Sequence, residues 1–216
     1  MSRAPAVVGW FFVIVALGLA LGPNGALGQR IVAMKQSHDV KTSVRAQWNA
    51  LTPQSSTIGE DVKPPALVVF SDYRCAYCRI LADSISKHLA VSPSRTLALR
   101  SLFRPGDSAS EYGARAFLCT DEIRARTLLH LRLLTDSNWI RRAFVDSVRR
   151  EVAQASFASY HGCLFADSTN RRLSMDSAQA VALHVRATPA FAAKSFGVHQ
   201  GIVDLTQLER WSNHEQ

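Results

Sequence analysis

The chain has 216 residues, 47% of them hydrophobic and 19% charged. That allows one domain of ordinary size with additions and a sizeable core, and excludes a disordered or low-complexity chain. The net charge of +8 comes mostly from arginines between Arg95 and Arg172. No aromatic residues interleave with them as a base-stacking platform would require, so they read as a solvated helical surface with no nucleic-acid partner.

Residues 1–28 read as a leader. Arg3 supplies a short positive region, Ala6 to Leu21 is an uncharged apolar run, Pro23-Asn24-Gly25 breaks it, and Ala26-Leu27-Gly28 offers small residues for processing. The run falls short of the ~20 residues of a comfortable spanning helix, which favours a signal peptide cleaved after Gly28 over a retained membrane anchor. Either outcome exports the rest of the chain to a periplasmic or other extracytoplasmic space. Residues 29–65 read as an N-terminal extension and linker. Ile31, Val32, Met34, Val40, Val44 and Trp48 suggest a loose amphipathic helix, with residues 29–51 a candidate contact for a homo-oligomer, and Thr52 to Pro65 is rich in turn formers.

From Ala66 the pattern tightens. Ala66 to Ser71 is a short continuous apolar run, as expected of a strand buried on both faces. Cys78, Leu81, Ile85 and Leu89 follow at helical spacing, and Pro93 and Ser94 end that helix. Thr96 to Phe103 alternates as a second strand, which completes a βαβ unit. Ser108 to about Val185 is helical in pattern. Pro189 to Ala193 and His199 to Asp204 read as a hairpin turning at Lys194 to Gly197, and Asp204 with Gln207 opens a last helix carrying Leu205, Leu208 and Trp211. The order β-α-β, helical block, β-β-α is a thioredoxin-like α/β fold with a helical insertion at about residues 107–186, inside a domain spanning 66–214. The 113 residues between Cys75 and Pro189 far exceed the ~30 of a bare βαβ unit.

Cys75-Ala76-Tyr77-Cys78 lies where the first strand of that unit meets the helix. A CxxC pair there points to thiol–disulfide exchange. A free thiol ionises near 8.5, and a helix N-terminus can bring this to ~3.5–7.5 through its unpaired N–H groups and its dipole. Cys75 is therefore expected to attack, and Cys78, one turn inward on the apolar face, to resolve. A zinc site would need about four ligands. There is no second CxxC, and the nearest histidine, His88, is ten residues on, so no metal or other cofactor is expected. Cys119 and Cys163 remain, either as a structural disulfide or as two buried thiols. Tyr73 and Tyr77 flank the pair, either as edges of a peptide-binding groove or as packing that shields it. His184 and His199 read as ordinary helix and strand residues in preference to groups that tune a thiol.

Phe70-Ser71-Asp72-Tyr73-Arg74-Cys75-Ala76-Tyr77-Cys78, with Thr188-Pro189 before the later strand, resembles the DsbA-like thioredoxin-fold proteins, and within them the periplasmic suppressor-of-copper-sensitivity (ScsC) group. The resemblance covers roughly Ala66 to Trp211. It implies that Pro189 is cis and faces the cysteines, and that Thr188 presents backbone to a bound substrate cysteine; spacing alone also allows a trans proline opening an edge strand. It departs from the family at Ala187, where glycine is usual, at Ala76, where proline or glycine is common, and in lacking a carboxylate in the first strand. The implied activity is that of an exported oxidase or isomerase exchanging disulfides with cysteine-containing exported proteins, served by a redox partner in the membrane. The alternative is a non-catalytic chaperone or adaptor in a copper-handling or secretion system.

Overall fold

Leu67–Ser71 (β2) is buried along its whole length, as a continuous apolar run requires. It pairs in parallel with β3 (Thr96–Ser101) through the crossover helix α3 (Ala76–Val91), and antiparallel with β4 (Ala190–Ala193), which turns into β5 (Gly197–Gln200). A short strand, β1 (Thr57–Gly59), adds to the far edge antiparallel to β3, giving the order β1-β3-β2-β4-β5. The computed structural model describes residues 26–60, 63–91, 95–136, 141–152 and 157–215. The leader reading falls almost wholly outside this set.

The chain divides into two compact units, Met1–Val40 and Lys41–Gln216. In the first, the described residues 26–40 form the opening turns of α1 (Ala26–Ala46), on which Leu27, Ile31, Val32 and Met34 are exposed. The sheet, the insertion and the candidate site belong to the second unit. Among the described residues, no helix is long and apolar enough to cross a membrane.

Between β3 and β4 run α4 (Ser108–Leu118), α5 (Ile123–Thr135), α6 (Arg142–Val152), α7 (Phe157–Leu164) and α8 (Asp167–Ala182), with α9 (Leu205–Glu215) closing the chain after β5. Two apolar clusters result. Leu67, Val69, Leu97, Leu99 and Phe191 of the sheet pack with Leu81, Ile85 and Leu89 of α3 and Leu208 of α9. Leu129, Leu133, Val145, Val148, Tyr160 and Leu164 of the insertion pack with Tyr73, Cys78 and Ala82. The cysteine pair thus lies against the core of the insertion.

Alternation puts Arg100 of β3 on the sheet face opposite Leu97 and Leu99. There it is fully buried: its Nη1 donates to Asp176 Oδ1 of α8 at 2.9 Å, and its Nη2 donates to the carbonyl of Ala50 in α2 (Trp48–Leu51). Ser101 N donates to the other Asp176 oxygen at 3.0 Å. One carboxylate therefore anchors α8 to the sheet. Cys119, at the end of α4, is disulfide-bonded to Cys163 of α7, which closes the insertion across a separation of 44 residues.

Three boundaries differ from the sequence reading. β1 lies within the stretch read as linker. β1 belongs to the sheet because α5 takes up its backbone: Arg126 Nη1 donates to Gln54 O and Thr57 O at 2.8 and 3.0 Å, and Thr127 Oγ1 accepts from Gly59 N at 2.9 Å. The second strand of the βαβ unit stops at Ser101, short of Phe103. The final hairpin turns at residues 194–196, so its outer strand starts at Gly197, two residues before His199.

Candidate active site

Cys75 occupies the position just before α3. Its N–H donates to Asp72 O at 3.0 Å, and its carbonyl accepts from Arg79 N at 3.2 Å, beginning the helix. Its sulfur accepts from Cys78 N at 3.4 Å, the role an oxygen plays at an ordinary N-cap. Across the site, Cys75 Sγ donates to the carbonyl of Thr188 at 3.1 Å, and the Thr188–Pro189 peptide bond is cis. Proline has no N–H, so Pro189 brings no backbone donor to this side of the sulfur. Cys75 is partly exposed and Cys78 buried, both as free thiols. Burial pushes the Cys78 thiol up to about 12, while hydrogen bonds from the Asp72 backbone and the Ser71 side chain pull it the other way. One sulfur is partly exposed; its neighbour is buried, where the neutral thiol is favoured.

The turn before the cysteines is stitched to the insertion. Asp72 Oδ1 accepts from Arg74 N at 2.9 Å and from the Ser110 hydroxyl. Asp107 caps α4 by accepting from Ser110 N at 3.2 Å, and it forms an ion pair with Arg74 at 3.3 Å. Farther along α3, Arg79 Nε donates to Leu134 O at 3.2 Å. These contacts tie the insertion to the turn that presents Cys75.

The two tyrosines separate. Tyr77, in the dipeptide between the cysteines, is 59% exposed. Tyr73 is 3% exposed, and this corrects its reading as a groove edge. Its ring lies against Gly113, where an added Cβ would come within 2.8 Å of it, and its hydroxyl is 3.1 Å from His130 Nδ1. Tyr73 is therefore a strut between the active-site turn and the insertion. His184 and His199 have other duties: His199 packs on Trp211, with ring centroids 5.1 Å apart, and His184 ends α8 with φ 56°. There His184 N donates to Val181 O and Val185 N to Ala180 O, a Schellman cap with histidine in the place that glycine usually fills.

Sequence reasoning missed Asp72, Ser110, Ser71, His130 and Gln200. Asp107 before a helical run is a legible N-cap signal. The other contacts arise only once distant segments are brought together.

No family model and no curated protein matches the chain. Solved structures do. A linker-deletion mutant of ScsC from Proteus mirabilis is similar at 19% identity and a TM-score of 0.73, covering 100% of this chain and 96% of its own. The chain has the DsbA-like thioredoxin fold. The same fold is shared with a periplasmic thioredoxin-like protein from Salmonella enterica serovar Typhimurium, at 21% identity, a TM-score of 0.64 and coverage of 79% and 95%. It is shared too with the thiol-disulfide exchange protein alpha-DsbA2 from Wolbachia pipientis, at 15% identity, a TM-score of 0.67 and coverage of 84% and 98%. In this chain Cys75 lies between the amide of Cys78 and the carbonyl that precedes the cis peptide bond.

Proposed function

We propose that the chain is an exported thiol–disulfide oxidoreductase that acts as an oxidase or isomerase on cysteines of other exported proteins. One observation carries this reading: Cys75 Sγ is held between the amide of Cys78 and the carbonyl of Thr188, with Cys78 Sγ buried behind it. In the oxidising direction, a substrate thiolate attacks Cys75 of the Cys75–Cys78 disulfide, and Cys78 leaves and takes up a proton. A second substrate thiolate then attacks the substrate sulfur of the mixed disulfide and expels Cys75. The substrate loses two electrons and the CxxC pair gains them; a redox partner in the membrane reoxidises the pair. In isomerisation the reduced Cys75 starts the cycle, and Cys78 resolves adducts that stall. Tyr77 and the Thr188 backbone are the proposed substrate contacts. The exposed apolar residues of α1 support self-association through residues 29–51.

The test is turnover. The protein should accelerate both the reduction of insulin by dithiothreitol and the refolding of scrambled ribonuclease. Cys75→Ser should return both to the uncatalysed rate, because the hydroxyl has no accessible anion to replace the thiolate. A wild-type protein that is inert in both assays would leave the chaperone or adaptor reading in its place.

A further inference from the structure

Thr188 faces Cys75 from a segment with few constraints of its own. Between the cap of α8 and the start of β4 lie His184 to Thr188, and His184, Arg186 and Ala187 are exposed. Val185 N is spent on the cap, and Pro189 has no N–H. The next two amides converge on one side chain. Gln200 Oε1 accepts from Arg186 N at 2.7 Å and from Ala187 N at 3.1 Å, and Gln200 Nε2 donates to His184 O at 3.3 Å. The residue after Gln200 completes the bracket, as Gly201 N donates to Pro189 O at 2.9 Å.

We infer that Gln200 is a positioning residue for disulfide exchange: its carboxamide fixes the backbone of residues 184–187 and so sets the Thr188 backbone that a substrate peptide would meet beside Cys75. Gln200 is exposed and touches neither sulfur, so it acts through the loop. Its acceptor oxygen holds the two amides nearest Thr188, and its donor holds the left-handed His184 at the other end. Without it those three groups turn to water, and the segment can pivot at Arg186 and Ala187. A displacement of about 1 Å at a reacting centre is enough to slow a positioned reaction strongly. The oxygen matters more than the nitrogen, since it serves the amides next to Thr188. A carboxylate at position 200 should therefore serve where an alanine does not.

The consequence for exchange rests on the proposed function, and the test separates the two. Gln200→Ala and Gln200→Glu are compared with wild type in exchange with a cysteine-containing peptide, in alkylation of the reduced protein by iodoacetamide, and in amide hydrogen exchange at Arg186 and Ala187. In Gln200→Ala, KM for the peptide should rise about tenfold, the loss expected from one or two net hydrogen bonds. Cys75 alkylation, which needs no bound peptide, should stay within about twofold, and the two amides should exchange faster. Gln200→Glu should restore the KM and the protection. The inference is overturned if Gln200→Ala keeps the wild-type KM and amide protection, if alkylation and peptide exchange fall together, or if Gln200→Glu behaves as alanine does. Should the wild type fail to exchange with peptides at all, the functional reading fails, and the amide measurement still decides what Gln200 holds.

Discussion

Taking the protein from pH 8 to pH 5 should remove about 4 kcal/mol of folding stability, roughly 2 kcal/mol from each of two buried histidines. His88 and His130 are both fully buried. Burial, and secondarily the charge of Arg95 against an opposing contribution from Glu209, lowers His88 to about 4; burial lowers His130 to about 3. His88 lies between α3 and α9, with its Nε2 3.0 Å from the Ser212 hydroxyl. His130 Nδ1 meets Tyr73, and its Nε2 has no hydrogen-bond partner among the described residues. The sign follows from proton counting. Below about pH 6.5 the unfolded chain protonates both rings and the folded chain protonates neither, so unfolding takes up protons. Stability is therefore fully present above pH 6.5. It is lost as pH falls, levelling off only near the folded values of 4 and 3. Urea unfolding at pH 8, 7, 6 and 5 would show this, and His130→Gln should remove about half of the slope. A flat profile between pH 7 and pH 5 would contradict it. Since a domain has only about 5–15 kcal/mol in hand, the effect is large, and it acts on the same Tyr73–His130 strut that holds the active-site turn.

Asp176→Ala should cost about 3–5 kcal/mol, the penalty of leaving a buried charge without its partner. The Arg100 side chain has no exposure, and Arg172 also reaches the same carboxylate, with Nε at 3.4 Å. Burial pushes the Asp176 carboxyl up, while Arg100 and the Ser101 amide hold it down; burial likewise pushes Arg100 down against the pull of Asp176. With the carboxylate gone, two guanidinium groups face each other across the α8–β3 contact, and Ser101 N loses its acceptor. Asp176→Asn should be milder, because it keeps an acceptor for one donor. Replacing Arg100 and Asp176 together by leucine should recover much of the loss, since an apolar pair of similar volume removes the desolvation cost of both ions. Denaturant midpoints of the three variants would check the ordering. A single alanine variant within 1 kcal/mol of wild type, by the scale of that penalty, would show that the pair contributes little.

Much of the architecture was legible because the strands and helices announce themselves locally. β2 is a continuous apolar run, α3 carries Leu81, Ile85 and Leu89 on one face, and the CxxC lies at their junction. β1 was hidden, since Thr57-Ile58-Gly59 has no strand pattern of its own. It is held by Arg126 and Thr127, about 70 positions along the chain. Tyr73 reads equally as a groove edge or as packing until Gly113 is seen to make room for it. Gln200 carries no signal at all: a glutamine at a strand end is ordinary, and only the fold returns it to residues 184–187. The cysteines were legible by spacing, whereas the groups that orient them depend on contacts between distant segments.

The intact mass of a Cys78→Ala variant tests most directly whether Cys75 attacks and Cys78 resolves. Reduced Cys78→Ala is mixed with a disulfide-bonded peptide. The Cys75 thiolate should attack one peptide sulfur and expel the other as a thiol, leaving a stable one-to-one adduct on Cys75 that dithiothreitol releases. Wild type should pass through the same adduct without accumulating it, ending as the Cys75–Cys78 disulfide with free peptide dithiol. A Cys78→Ala protein that forms no adduct, or one whose adduct survives Cys75→Ser, would contradict the account.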